Sequence, residues 1–104
     1  KRIRIHETIT PKENRGEDIL ELAKRSAASL KGPPGMIQTM VTQSEKKGGE
    51  IVTTTIWNAK DDFQNFMKIP EVGALLKSDD MANIKEWMSD YNMLMSNYVD
   101  GWHA

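Results

Sequence analysis

At 104 residues the chain has the length of one domain, spanning residues 1–104, and a chain this short leaves roughly a third or more of its unfolded-state surface exposed after folding, so self-association is expected. The 14 Lys+Arg against 15 Asp+Glu give a net charge of −1, which offers no basic surplus to recruit nucleic acid or an anionic membrane. With no cysteine, disulfides, thiolate nucleophiles and Cys-based metal sites are excluded. The longest apolar runs are only a few residues, and the opening KRIRIHETIT lacks the apolar core of a signal peptide, so a soluble cytoplasmic protein is expected.

Arg2 to Thr10 alternates, with Ile3, Ile5, Glu7 and Ile9 on one face and Arg4, His6, Thr8 and Thr10 on the other, which is the period of a strand. Pro11 to Gly16 breaks it, and Asn14 with Glu17 three residues on resembles a capping box. Ile19, Leu22, Ala23, Ser26, Ala27 and Leu30 then recur at helical spacing until Gly32 and the Pro33-Pro34-Gly35 turn. Met36 to Gln43 and Glu50 to Trp57 are rich in β-branched residues and are joined by Ser44 to Gly49, so a β-hairpin is expected. Asn58 is a candidate N-cap for a helix carrying Phe63, Phe66 and Met67, and Pro70 either stops that helix or starts another. Val72, Leu75 and Leu76 give a further turn or two, and Ser78 caps a last helix with Met81, Ile84, Trp87 and Met88. Tyr91 to Val99 favours a final strand.

The order β-α-β-β-α-β predicts an α+β fold of ferredoxin-like type, an antiparallel four-stranded sheet with helices on one face. The other face holds either Met36 and Met40 or Ile37 and Val41, and Met93 and Met95 point opposite to Leu94, so apolar residues reach a face that helices leave bare. Face-to-face homodimerisation would cover it, and Trp102 beyond Gly101 is expected to dock on the partner.

The opening strand, Gly35-Met36 entering the second strand, Ile56-Trp57 followed by Phe63 and Phe66, and Pro70-Glu71-Val72 together resemble the antibiotic biosynthesis monooxygenase family. The resemblance covers nearly the whole chain and implies a dimeric α/β barrel. It also implies a cavity between sheet and helices lined by Ile3, Ile5, Glu7, Ile9, Phe66, Leu75 and Leu76, with Trp57 near its rim. Family members that oxidise polyphenols need neither metal nor flavin, which implies a small hydrophobic or aromatic ligand and no cofactor. The related haem-degrading branch uses an Asn, a Trp and a proximal His at positions that here correspond to Ile5 or a neighbour, Phe66 and Leu76. A leucine cannot ligate iron, so haem is not expected.

Glu7 interrupts an isoleucine stripe. An apolar setting disfavours a carboxylate's charge and suits it to acid–base work, whereas a strand-end position leaves it simply paired or solvated. His6 faces the other way, either as a proton-transfer group in a dimer interface or as a polar strand residue beside Arg4. Trp57 either stacks on a ligand or packs at an element junction. RNA-recognition motifs share the fold order, but EIVTTTIW lacks their stacked aromatics. Two functions remain from different classes: a cofactor-independent monooxygenase acting on a small aromatic or quinol-like compound, and a non-catalytic dimer that binds or senses a small hydrophobic ligand.

Overall fold

The computed structural model describes residues 1–46 and 48–101, so the expectation for Trp102, and Lys47 of the hairpin loop, lie outside the described residues. The elements run β1 (Ile3–Pro11), α1 (Gly16–Ser29), β2 (Met36–Gln43), β3 (Ile51–Trp57), α2 (Lys60–Met67), α3 (Pro70–Leu76), α4 (Asp79–Trp87) and β4 (Met88–Asn97). The sheet order is β2-β3-β1-β4 with every pair antiparallel, the ferredoxin-like arrangement. The second helical segment is cut into three. Pro70 starts α3 where its missing N–H is no loss, and Ser78 starts α4 by accepting the Met81 backbone N–H at 3.2 Å.

Two helix starts differ from the sequence reading. Asn14 does not cap α1: it takes a left-handed φ of 65°, a conformation Asn tolerates, and Arg15 occupies the cap position without a side-chain bond. Ala59 rather than Asn58 precedes α2, and the Asn58 N–H is held by the Gly35 carbonyl at 2.8 Å. That bond ties the end of β3 to the start of β2. Gly35 sits at φ 85°, and a side chain there would collide with Asp62, so the glycine is required both by conformation and by space.

Strand register assigns the faces. The helix side of the sheet carries Ile3, Ile5, Glu7 and Ile9 of β1, opposite Trp57, Thr55, Thr53 and Ile51 of β3 and opposite Asn97, Met95, Met93 and Tyr91 of β4. The bare side carries His6 between Thr54 and Leu94, with Met40 beyond Thr54 on β2.

The helix-side core falls into two clusters. Ile19 and Leu22 of α1 and Ile84 of α4 close on Ile51, with Ile9, Val41, Trp87 and Met88 at the margin. At the other end Ile3, Ile5 and Trp57 pack with Met36, Phe63 and Phe66. Each buried apolar side chain contributes roughly 1.5–3 kcal/mol, and among the described residues the buried hydrophobic core numbers only eight. The domain is a slab of 39 × 35 × 20 Å with a radius of gyration of 14.2 Å, above the ~13 Å of a self-contained chain of about this length. One broad side has no helices to thicken it.

Candidate functional site

Between the two apolar clusters the helix side of the sheet turns polar. The central row across β2, β3, β1 and β4 reads Val41, Thr53, Glu7, Met93, and the hydroxyl of Thr55 lies in the next row beside Ile5. Glu7 is half-buried there, flanked along its own strand by Ile5, which is 1% exposed, and by Ile9.

The carboxylate has one hydrogen-bond partner among the described residues: the Tyr91 hydroxyl of β4 donates to Glu7 Oε2 at 2.7 Å. Tyr91 stands opposite Ile9 and reaches diagonally to Glu7, as cross-strand neighbours two apart can when one side chain is long. Partial burial, then the hydrogen bond to Glu7 and its negative charge, raise the Tyr91 pKa well above the ordinary phenol value. Tyr91 is therefore a neutral donor throughout the physiological range. Glu7 Oε1 takes no hydrogen bond from any described residue.

The β4 flank of this site is open. Tyr91 is 45% and Met93 48% exposed, because α1 and α4 cover one end of the sheet and α2 the other. Beyond Met95 a shallow depression of about 430 Å³ is lined by Ile3, Lys60, Asp61, Met95, Ser96 and Asn97 among others; it adjoins the site but does not include Glu7.

The remaining sequence candidates separate. Trp57 lies in the core rather than at a rim: it is 1% exposed, 5.6 Å from Phe63 and 5.2 Å from Phe66 between ring centroids, and its indole Nε1 donates to Thr55 Oγ1 at 2.9 Å. Ile5 and half-buried Phe66 belong to the same cluster. Leu75 is half-buried on α3, and Leu76 ends that helix 43% exposed. His6 lies on the bare side of the sheet, its Nδ1 3.4 Å from the Thr54 hydroxyl, and is thus separated by the sheet from Glu7. Haem does not fit these residues: Leu76 offers no ligating atom and His6 is on the wrong face. Among the described residues no three His, Cys, Asp or Glu side chains converge to hold a metal ion, and no helix is long and apolar enough to cross a membrane.

Tyr91 is the residue that sequence reasoning missed. Alternation places it with Met93 and Met95, but its approach to Glu7 depends on pairing the first strand with the last, a separation of 84 residues.

A four-stranded antiparallel sheet with helices on one side, and a carboxylate–phenol pair in the gap between two apolar clusters, defines a ferredoxin-like α+β domain with its candidate site on the helix side. The antibiotic biosynthesis monooxygenase family model matches residues 2–78, and the chain belongs to that family. The match includes Glu7 and stops short of Tyr91. Comparison with curated proteins finds no match. Among solved structures, Rv0793 from Mycobacterium tuberculosis superposes with a TM-score of 0.77 at 12% identity, covering 97% of this chain and 98% of that one. SnoaB from Streptomyces nogalater, a cofactor-independent oxygenase, superposes with a TM-score of 0.75 at 12% identity over 96% of this chain and 95% of that one. At such identities the likeness establishes the fold.

Proposed function

We propose that this chain is a monooxygenase that oxidises a small aromatic or quinol-like compound without a bound cofactor, on the helix side of the sheet. The observation that carries the reading is the half-buried Glu7 carboxylate, paired to Tyr91 and set between apolar clusters in an antibiotic biosynthesis monooxygenase domain. The cofactor-independent oxygenase SnoaB, similar in fold, supports it.

The chemistry asks little of the protein. Glu7 removes a proton from an activated CH₂ of the substrate, and the resulting carbanion passes one electron to O₂. Radical recombination forms a C–O bond and gives a peroxide. Cleavage of the O–O bond with loss of water leaves a carbonyl, so CH₂ and O₂ become C=O and H₂O, with both electrons for the water supplied by the substrate. Glu7 returns its proton to the departing oxygen, and the apolar clusters hold the ring.

The test is aerobic incubation with anthrone-type substrates under ¹⁸O₂, followed by mass spectrometry. One labelled oxygen is expected in the product, and Glu7→Gln is expected to preserve folding while lowering turnover by roughly 10²-fold, the usual scale for a positioned acid–base group. Turnover by Glu7→Gln at the wild-type rate would reduce Glu7 to a strand charge.

One observation favours a second reading. The open flank at Tyr91 and Met93 leaves water near the site, which a reactive anion tolerates poorly and a reversible hydrophobic ligand tolerates well. Saturable binding of an aromatic that survives air unchanged would select the non-catalytic binder.

We also propose that the working unit is a homodimer joined through the bare sheet face and β4. Met40 and Leu94 stand 40% and 52% exposed there beside half-buried Val52 and Ile56, a surface too apolar for a lone chain to leave wet.

A further inference from the structure

Glu7 is the only acidic residue on the helix side of β1, and its two oxygens are not equivalent. Oε2 is taken by the Tyr91 hydroxyl at 2.7 Å, while Oε1 has no donor among the described residues. Tyr91 is anchored in turn by its place in β4 opposite Ile9 and by the tightness of that contact. A free glutamate side chain samples several rotamers, and losing them costs up to about 2 kcal/mol when a ligand must fix it. Here the fixing is done before any ligand arrives.

Resting on the reading of Glu7 as the centre of the site, we propose that Tyr91 is a positioning residue that locks the Glu7 carboxylate with Oε1 facing the ligand, and that this lock makes the site select aromatics bearing a hydroxyl donor. The phenol has no proton left to offer, since it is committed to Oε2. A ligand therefore meets an acceptor and no matching donor. A hydroxylated ring satisfies Oε1; its methyl ether, or a quinone with acceptor oxygens only, leaves a desolvated charge unpaired beside the apolar clusters.

The test is anaerobic binding of 1-naphthol and 1-methoxynaphthalene by calorimetry, so that selectivity is read whether or not the chain turns anything over in air. The wild type is expected to prefer 1-naphthol by about tenfold or more, the scale of one hydrogen bond to a charged acceptor. Tyr91→Phe keeps the ring and removes only the hydroxyl. It is expected to shrink the preference to about threefold or less without weakening the methyl ether, as Glu7 regains its rotamers. In Glu7→Gln the Tyr91 hydroxyl still donates to the side-chain oxygen and turns the amide NH₂ toward the ligand, so the preference is expected to vanish or reverse. A merely structural role for Tyr91 would weaken both ligands alike. Equal affinity of the wild type for the two ligands, no saturable binding of either, or an undiminished preference in either variant would overturn the proposal. Absence of oxidation in air would instead overturn only the monooxygenase reading.

Discussion

Trp57→Phe separates a core tryptophan from a ligand-stacking one. The indole is 1% exposed and packed against Phe63 and Phe66, so replacing it with a single ring leaves an unfilled space between α2 and the end of β3. Complete truncation of a buried tryptophan costs about 3–5 kcal/mol, and keeping one ring recovers more than half of that, which leaves about 1–2 kcal/mol. The Nε1 bond to Thr55 at 2.9 Å is lost as well, for about 1 kcal/mol, with the half-buried Thr55 hydroxyl able to recover part of it from water. The sum is about 2–3 kcal/mol. With a urea m-value of roughly 1–1.5 kcal/mol/M for a small domain, the unfolding midpoint should fall by about 2 M. The assay is equilibrium urea unfolding followed by circular dichroism at one fixed chain concentration, because stability depends on concentration if the chain dimerises. A midpoint shift under about 0.4 M, together with a marked loss of aromatic-ligand affinity, would place Trp57 at a binding surface and refute the core assignment.

Light scattering at micromolar concentration should give a two-chain mass, and Leu94→Asp, on the bare face at mid-length of the edge strand β4, should give a one-chain mass; a one-chain mass for the wild type would refute the homodimer. In an alkaline titration followed by phenolate absorbance, one of the two tyrosines should resist ionisation, and Tyr91→Phe should remove the resistant one. The sign for stability follows: a folded-state pKa raised above the unfolded value leaves stability intact below the ordinary tyrosine value and erodes it as pH rises from there toward the folded value. Added haem should give no stoichiometric imidazole-ligated spectrum, since the family resemblance puts Leu76 at the proximal-histidine position; reductant-dependent conversion of bound haem to a cleaved tetrapyrrole would overturn that alignment.

Much of the fold is legible in local pattern. Met36 to Gln43 reads as a strand with the bounds the structure has, Ser78 reads as a cap and acts as one, and alternation alone puts Glu7 with the isoleucines of β1. What is not legible depends on distant partners. Asn58 has the side chain of an N-cap, yet its backbone N–H is claimed by Gly35 from another element and the helix begins later. Asn14 is equally cap-like in isolation, but the turn out of β1 uses its tolerance of positive φ. Trp57 reads either as a ligand-stacking or as a junction-packing residue until Phe63 and Phe66 are seen to fold over it. Tyr91 carries no local mark of function, because the register between the first and last strands decides what it touches.

That register also sets how far the two halves of the functional reading are independent. Glu7 and His6 are adjacent in β1 and point to opposite sides of one sheet. Glu7 occupies the centre of a row with Thr53 and Met93 on the helix side, while His6 occupies the centre of a row with Thr54 and Leu94 on the bare side. A polar residue at the middle of each row is costly in a chain with so few buried apolar residues, unless each side meets something that completes it. On the helix side Tyr91 already supplies half of what Glu7 needs, and a ligand donor would supply the rest. On the bare side Thr54 lies at the long limit of hydrogen bonding to His6, and a second copy would bury the Leu94 and Met40 that flank it. If the proposed site and dimer hold, substitutions of Glu7 and of Leu94 are expected to perturb chemistry and assembly from opposite faces of the sheet, linked through the β1 backbone.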